Sequence, residues 1–272
     1  MRINAIVSDM DDTLLNDELK LSDYTLDVLR RCTERGIRVI PASGRAMDSM
    51  LPYLRQLNTG CPAIGCNGAQ LIAPDLTLLS CQEFEPELAR EIVTFMQEED
   101  FYVQVYKDAY FYYATECDPA KLYKKSTGMK GKAVGDLLRF LTFPTPKVLG
   151  ISHPEEVARV LPVAEKRFEG RVSFAVSKPY FLEAEPPEVS KGNALRQLSQ
   201  LIGIKPETTL VFGDSLNDVS MLNWTPNSVA MENGRPEVKA AAKYICQPNH
   251  MDGVARFIEE HVLNANEEEG AQ

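Results

Sequence analysis

The sequence predicts an α/β protein whose core is a doubly wound parallel sheet and which carries an inserted α+β domain. Two observations predict the core: short apolar strands that end in polar residues, and segments of helical spacing that follow them. A third is a change of pattern between about residues 83 and 186, where consecutive strands resemble hairpins. We therefore predict a core of residues 1–82 and 187–272, and an inserted domain of residues 83–186.

Four apolar runs are predicted as core strands: residues 5–8, 37–42, 209–212 and 228–231. The first is followed by a helical segment that starts at Ser22 and stops at Gly36, and the second by one that runs through Leu54. Repeated βα units give a parallel sheet, in which ligands bind beyond the carboxyl ends of the strands. Asp9, Ser43 and Asp214 follow three of these strands, so we expect them to converge.

The inserted domain is predicted to contain two rounds of helix and strand pair. The helices cover residues 86–100 and 154–168; the strands cover residues 101–106, 110–113, 147–152, 172–176 and 180–184. A turn at residues 107–109 joins the first pair, and Pro186-Pro187 marks the return to the core.

Composition excludes several classes of protein. A net charge of −10 disfavours nucleic acid, whose binding depends on lysine and arginine, and it indicates a small substrate. No apolar run approaches the ~20 residues needed to span a membrane. The N-terminus lacks the features of a secretory signal, and six cysteines without a C-x-x-C pair are typical of reduced thiols, so a cytoplasmic protein is expected. The polar stretch from Asn264 to Gln272 is predicted to be a frayed tail.

Three carboxylates occur within four positions directly after the first strand, in Asp9-Met10-Asp11-Asp12-Thr13. At a separation of ~4 Å and an effective dielectric constant of about 20, two ionised carboxylates repel by about 4 kcal/mol. If they converge, a bound cation or a raised pKa is needed. The alternative is a solvated turn with helix-capping aspartates.

Further motifs follow other predicted strands or start helices. Lys191 stands at a helix start, where a cation is unfavourable unless an anion such as phosphate lies near it; the alternative is an exposed lysine at a frayed helix end. Ser43-Gly44 offers a hydroxyl and a backbone N–H, and its alternative is an ordinary helix cap. The spacing of Asp214, Asn217 and Asp218 exceeds what a helix cap explains. Hard oxygen ligands without clustered cysteine or histidine suit Mg²⁺.

Together these motifs resemble those of a known family. Asp9-x-Asp11-x-Thr13, Ser43-Gly44-Arg45, Lys191-Gly192 and Gly213-Asp214-x-x-Asn217-Asp218 are similar, in order and spacing, to the four motifs of the haloacid dehalogenase-like phosphatases. The long insert between the second and third motifs resembles the type IIB α/β cap of the Cof-type branch. The resemblance implies a Rossmann-like core and a magnesium-dependent phosphatase that acts on a small phosphorylated metabolite.

The resemblance also implies residue roles. Asp9 would attack phosphorus, and Asp11 would protonate the leaving alcohol and then activate water. The Asp9 and Asp214 side chains and the Asp11 carbonyl would hold Mg²⁺, with Asp218 bracing the site. The phosphoryl group would be bound by Met10, Ser43, Gly44, Lys191 and Asn217, and the substrate cleft would include Arg45, Asn67 and Gly68. Two positions depart from the family pattern: Asp12 replaces the usual Gly and Ser43 the usual Thr.

Other functions stay open at this stage. A phosphomutase of the same superfamily would share the aspartyl-phosphate but return the phosphoryl group to a sugar. A non-catalytic sensor would bind a phosphorylated ligand, although Asp11 argues against it, and an ion pump is excluded because apolar spans are missing. Candidate substrates are sugar phosphates, nucleotides and cofactor phosphates. Two groups in the insert could contact the substrate. The first is a basic stretch, better explained as a solvated face, of lysines 121, 124, 125, 130 and 132. The second, better explained as core packing, consists of tyrosines 106, 110, 112 and 113.

Overall fold

The computed structural model describes residues 3–264, which form two compact units. The first unit contains residues 3–44, 50–79 and 190–264, and the second contains residues 45–49 and 80–189. The predicted frayed tail lies, apart from Asn264, outside the described residues. Within residues 3–264, no helix combines the length and apolar character that crossing a membrane requires.

The strands, in chain order, are β1 (Ala5–Asp9), β2 (Arg38–Ala42), β3 (Ala63–Gly65), β4 (Gln70–Ile72), β5 (Leu78–Cys81), β6 (Tyr102–Lys107), β7 (Tyr110–Tyr113), β8 (Lys130–Ala133), β9 (Val148–Ile151), β10 (Ser173–Ala175), β11 (Phe181–Glu185), β12 (Thr209–Gly213), β13 (Asn227–Met231) and β14 (Tyr244–Cys246). The helices are α1 (Asp23–Glu34), α2 (Met47–Leu57), α3 (Pro86–Glu98), α4 (Asp118–Thr127), α5 (Leu137–Phe140), α6 (Pro154–Arg167), α7 (Lys191–Ile202), α8 (Val219–Leu222), α9 (Pro236–Ala241) and α10 (Gly253–Ile258).

The first unit is built on a sheet of order β14-β13-β12-β1-β2-β3-β4-β5. Strands β14 to β3 pair in parallel, and β4 turns back antiparallel to β3. β1, β12 and β13 are buried along their whole length, as strands covered on both faces must be. The predicted doubly wound α/β core is therefore confirmed.

Alternation along the central strands places helices on both faces of this sheet. Val211 packs into an apolar cluster with residues of α7, α8 and α9, while its neighbour Phe212 contacts Phe257 of α10 on the opposite face. α1 packs beside α10, and its N-cap Ser22 accepts a hydrogen bond from the Thr25 N–H at 2.9 Å. This cap lies where the sequence predicts the start of the helix.

The second unit has a six-stranded sheet of order β10-β11-β9-β6-β7-β8. Its pairs are antiparallel except β7 and β8. Val103 and Val105 of β6 join a cluster with buried residues of α3 and α6, so these helices cover that face. The alternating residues Gln104 and Tyr106 are also buried, on the other face of the strand.

That second face carries a buried polar network. The Gln104 amide donates to the Tyr106 hydroxyl at 2.6 Å, and Tyr106 donates to the Tyr123 hydroxyl at 2.7 Å. Lys147 and Glu183 form an ion pair of 2.7 Å, with side chains only 2% and 3% exposed. Of the four tyrosines predicted to fill this core, Tyr106 and Tyr113 are buried, whereas Tyr110 and Tyr112 are only partly buried. The basic stretch is largely exposed, and Lys121 and Lys124 pair with Asp118 and Glu116.

Candidate active site

Polar side chains of the first unit meet at one edge of its sheet because neighbouring parallel strands end there. In the parallel register Asp9 pairs with Ala42 and Ser8 with Phe212. The turn after β1, the Ser43-Gly44 segment after β2 and the Asp214 loop after β12 therefore start at nearly the same level. This convergence is what the sequence predicts for Asp9, Ser43 and Asp214.

The turn after β1 depends on one residue with a left-handed backbone. Asp12 has φ 58 and ψ 8, between Asp11 and the buried Thr13. Aspartate is one of the few residues other than glycine that tolerate this conformation. Asn233 donates to the Asp12 carbonyl at 2.7 Å and holds the turn. Asp12 thus keeps the backbone that a glycine would otherwise supply here.

Three carboxylates form the centre of the site. Ligand oxygens of Asp9, Asp214 and Asp218 all lie within 4.8 Å of one another. Asp9 and Asp218 are buried, and Asp214 is partly buried. Charges this close repel unless cations or protons compensate them.

Lys191 supplies one compensating charge. Its side chain is 1% exposed, and Nζ donates to Asp9 Oδ1 and, at 2.6 Å, to Asp218 Oδ1. It is the first residue of α7, whose N-cap Ser190 accepts from the Asn193 N–H at 3.1 Å. A cation at a helix start is unfavourable unless an anion lies nearby. Two carboxylates provide that charge, in addition to any phosphate.

Burial and charge shift the pKa values of this group. Burial raises the pKa of Asp9 well above its usual value, Lys191 opposes this, and Asp218, Asp214 and Asp11 raise it further. Burial, followed by repulsion from Asp218, raises the pKa of Asp214 to about 7. Burial alone would lower the pKa of Lys191, but attraction to Asp218 and Asp9 outweighs it and raises that pKa.

Asp218 acts as a brace for its neighbours. Its Oδ1 accepts from Lys191, and its Oδ2 accepts from the backbone N–H groups of Asp214 and Ser215, each at 2.9 Å. Both oxygens are therefore engaged in orienting the lysine and the Asp214 loop. Asp214 Oδ1 in turn accepts from the Thr13 hydroxyl at 2.9 Å, which links the loops after β12 and β1.

The chemistry of this group fits a divalent cation. The donors are carboxylate oxygens, which Mg²⁺ prefers. Fully ionised, the three carboxylates carry −3 and Lys191 +1, which leaves −2, the charge that Mg²⁺ would balance. Because Asp218 uses both oxygens within the protein, Asp9 and Asp214 are the side chains that would hold the ion.

The other residues predicted for the site belong to the first unit, except Arg45, which belongs to the second. Met10 and Ser43 are buried at the same sheet edge, and Asp11 lies close enough to raise the pKa of Asp9. The side chains of Asn67 and Asn217 form a hydrogen bond of 2.8 Å, also in the first unit. Arg45 belongs to the second unit, where it donates to the Ser49 hydroxyl at 3.1 Å.

Two residues that position the site were not singled out from sequence. Thr13 and Gly213 are motif positions to which the sequence assigns no role; in the structure the Thr13 hydroxyl donates to Asp214 Oδ1. Gly213 ends β12, and a Cβ there would lie 2.5 Å from Asp218 Cβ and 2.8 Å from Asp218 Oδ2. Their positions in the motifs are the sequence signal for both residues, but the contacts that explain their roles are visible only in the structure.

Gly213→Ala should displace the Asp218 brace. We expect a loss of about 1–3 kcal/mol in the free energy of unfolding from overpacking, and a loss of up to about 10²-fold in turnover because Lys191 and Asp214 shift. Denaturant unfolding and steady-state kinetics measure the two effects. Gly36→Ala is the control: its φ of +76 is strained for alanine but nothing lies within 4 Å, so it should lose stability and keep turnover. Wild-type stability and turnover in Gly213→Ala would contradict the bracing role.

Comparison with known proteins agrees with this geometry. Residues 6–258 match the family model of the haloacid dehalogenase-like hydrolases. A Bacillus subtilis protein named as a phosphatase, YxeH, is 30% identical over 95% of this chain and 98% of its own length. The 5-amino-6-(5-phospho-D-ribitylamino)uracil phosphatase YwtE of Bacillus subtilis is 25% identical, over 95% of this chain and 98% of its own. A haloacid dehalogenase-like hydrolase from Bacteroides thetaiotaomicron superposes with a TM-score of 0.85 at 28% identity, covering 95% of this chain and 99% of that one.

Proposed function

The chain belongs to the haloacid dehalogenase-like hydrolases and is a phosphatase, and from that premise we propose that it hydrolyses a small phosphorylated metabolite through an aspartyl-phosphate at Asp9, with Mg²⁺. The observation that carries this proposal is the group of Asp9, Asp214 and Asp218 within 4.8 Å, with the Lys191 ammonium bound to two of them. Such a group places a nucleophile, a cation site and a fixed positive charge together.

In the first step Asp9 attacks phosphorus. Lys191 binds Asp9 Oδ1, which leaves Oδ2 for the attack. The new bond joins this oxygen to phosphorus while the bond from phosphorus to the leaving alcohol breaks, and Asp11 gives its proton to that alcohol. In the second step Asp11 takes a proton from water, the water oxygen attacks phosphorus, and the bond to Asp9 breaks. Phosphate and the free carboxylate result.

The charges around Asp9 stabilise the transferring group. Lys191, the Ser43 hydroxyl, the Gly44 N–H and the Asn217 side-chain amide would bind the phosphoryl oxygens, where negative charge accumulates. Mg²⁺, held by Asp9 and Asp214 and by the Asp11 carbonyl, would supply further charge compensation to the phosphoryl group. Asp218 keeps Lys191 and the Asp214 loop in place for both steps.

We also propose the class of substrate and the place of action. Residues 83–186 would form the domain that sets specificity, and one relative acts on a phosphorylated ribityl-uracil, which is a small soluble metabolite. The net charge of −10 favours such a substrate over nucleic acid. The cytoplasm is the proposed compartment, which six free cysteines support.

A phosphate-release screen tests this proposal. The purified chain would be incubated with sugar phosphates, nucleotides and pyridoxal phosphate, each with Mg²⁺ and with a chelator. We expect at least one class to release inorganic phosphate, and the chelator to abolish the release. Release that a chelator does not change would contradict the metal requirement. An isomerised substrate without free phosphate would indicate a mutase, and binding without release would indicate a sensor.

A further inference from the structure

The loop after β3 has an unusual backbone. Cys66, Asn67 and Gly68 all have positive φ, of 47, 52 and 112. A left-handed conformation is sterically unfavourable for a residue such as cysteine, which has a Cβ atom. Residues held in this way cluster at functional sites, where the surrounding structure fixes them. Cys66 and Asn67 are both buried, at 0% and 2% exposure, so the conformation is fixed by packing.

Backbone contacts tie this loop to two motifs of the proposed active site. The Asn67 N–H donates to the Ser43 carbonyl at 3.0 Å. A Cβ on Gly68 would lie 2.4 Å from the carbonyl oxygen of Ser190, the N-cap of the helix that begins with Lys191. The loop therefore packs against the Ser43-Gly44 segment on one side and against the start of α7 on the other.

The Asn67 side chain connects to a third motif. Its Oδ1 accepts from Asn217 Nδ2 at 2.8 Å, and a Cβ on Gly44 would lie 2.8 Å from the same oxygen. The carboxamide thus fills the space between Gly44 and Asn217. An Asn217 amide nitrogen carries two hydrogens, and Asn67 engages one, so the second is fixed in direction.

The oxygen of the Asn217 side-chain amide, Oδ1, has no hydrogen-bond partner among the described residues. Asn217 Oδ1 is buried and, within residues 3–264, is the side-chain polar atom found buried without a hydrogen-bond partner. Leaving a buried acceptor unpaired is destabilising, because the atom has lost its hydrogen bonds to water. Within the described residues, the hydrogen bond to Asn67 is thus the side-chain contact that orients the Asn217 amide.

We propose that Asn67 is a positioning residue for phosphoryl transfer, which acts by fixing the Asn217 carboxamide against the phosphoryl group; this inference rests on the proposed function. Asn67 does not contact the substrate in this role. This role differs from the sequence-based prediction, in which Asn67 lies in the substrate cleft.

A double-mutant cycle tests this role. Asn67→Gly keeps a residue that accepts positive φ and removes the carboxamide, and Asn217→Ala removes the group that it holds. We expect each single variant to lower kcat about 10- to 10²-fold and to weaken the binding of inorganic phosphate, measured by calorimetry with Mg²⁺. The double variant should be no worse than Asn217→Ala alone, because Asn67 acts through Asn217.

Asn58→Gly is the matched control for replacing an asparagine of positive φ by glycine. Asn58 also has positive φ, of 42, but is exposed, so this variant should keep wild-type kcat and phosphate affinity. Wild-type kinetics and phosphate binding in Asn67→Gly, or effects that add fully in the double variant, would overturn the inference. A wild-type chain that neither binds nor releases phosphate would instead overturn the proposed function, and the inference with it.

Discussion

Asp9→Asn should reduce phosphate release by at least about 10⁴-fold, because an amide oxygen is too weak a nucleophile to form the covalent intermediate. The fold should remain intact. Asn67 and the phosphate-binding residues are unchanged, and Lys191 keeps Asp218 as its partner. Asparagine has nearly the same size and shape as aspartate, so it fits the same buried space without overpacking or a cavity. We expect the free energy of unfolding to change by less than about 1 kcal/mol.

Asp12→Asn is the matched control for this variant. It removes the same charge in the same turn, and asparagine also tolerates the left-handed backbone of residue 12. Since Asp12 is exposed and has no role in the two chemical steps, turnover should stay near the wild-type value. Steady-state phosphate release and denaturant unfolding measure both variants. Substantial turnover by Asp9→Asn would exclude Asp9 as the nucleophile.

Lys191→Met should impair both turnover and stability. Without its ammonium, the transferring phosphoryl group loses a fixed positive charge, and we expect a loss of about 10²- to 10³-fold in kcat. Asp9 and Asp218 would also lose their shared buried partner. Breaking a buried ion pair from one side costs about 3–5 kcal/mol, so the free energy of unfolding should fall by that amount without Mg²⁺.

Lys20→Met provides the comparison for Lys191→Met. Lys20 pairs with Glu18, and both side chains are largely exposed, at 70% and 72%. Because solvent screens exposed ion pairs, this pair contributes little to stability, and the variant should be stable and active. Chemical unfolding without Mg²⁺ and kinetics at saturating Mg²⁺ distinguish the two lysines. If Lys191→Met were as stable and active as Lys20→Met, the ammonium would have no part in the site.

The convergence of Asp9, Ser43 and Asp214 could be predicted from sequence because it follows from local patterns. Apolar strands followed by polar residues predict parallel strands, and parallel strands place the residues after them at one edge. Ser22 likewise marks the start of α1, since the capping side chain and the apolar spacing are both local. The paired runs around residues 107–109 predict the β6–β7 hairpin for the same reason.

Long-range contacts could not be predicted in the same way. The Lys191 ammonium meets Asp9 across 182 residues of sequence, and a lysine at a helix start indicates an anion without identifying it. Thr13 and Asp214 are similarly distant. The positive φ of Cys66 had no sequence signal, because cysteine does not favour that conformation. α4 and β8 were also not predicted: their lysines gave a basic stretch without a clear strand or helix period.

The most direct measurement of the central claim is mass spectrometry of the enzyme quenched in acid during turnover, followed by peptide mapping. With Mg²⁺ and a hydrolysed substrate, we expect one phosphoryl group on the peptide that contains Asp9, bonded to that carboxylate. The group should be missing in Asp9→Asn and in the presence of a chelator. A phosphoryl group on another residue, or turnover with no phosphorylated peptide at any quench time, would contradict the mechanism.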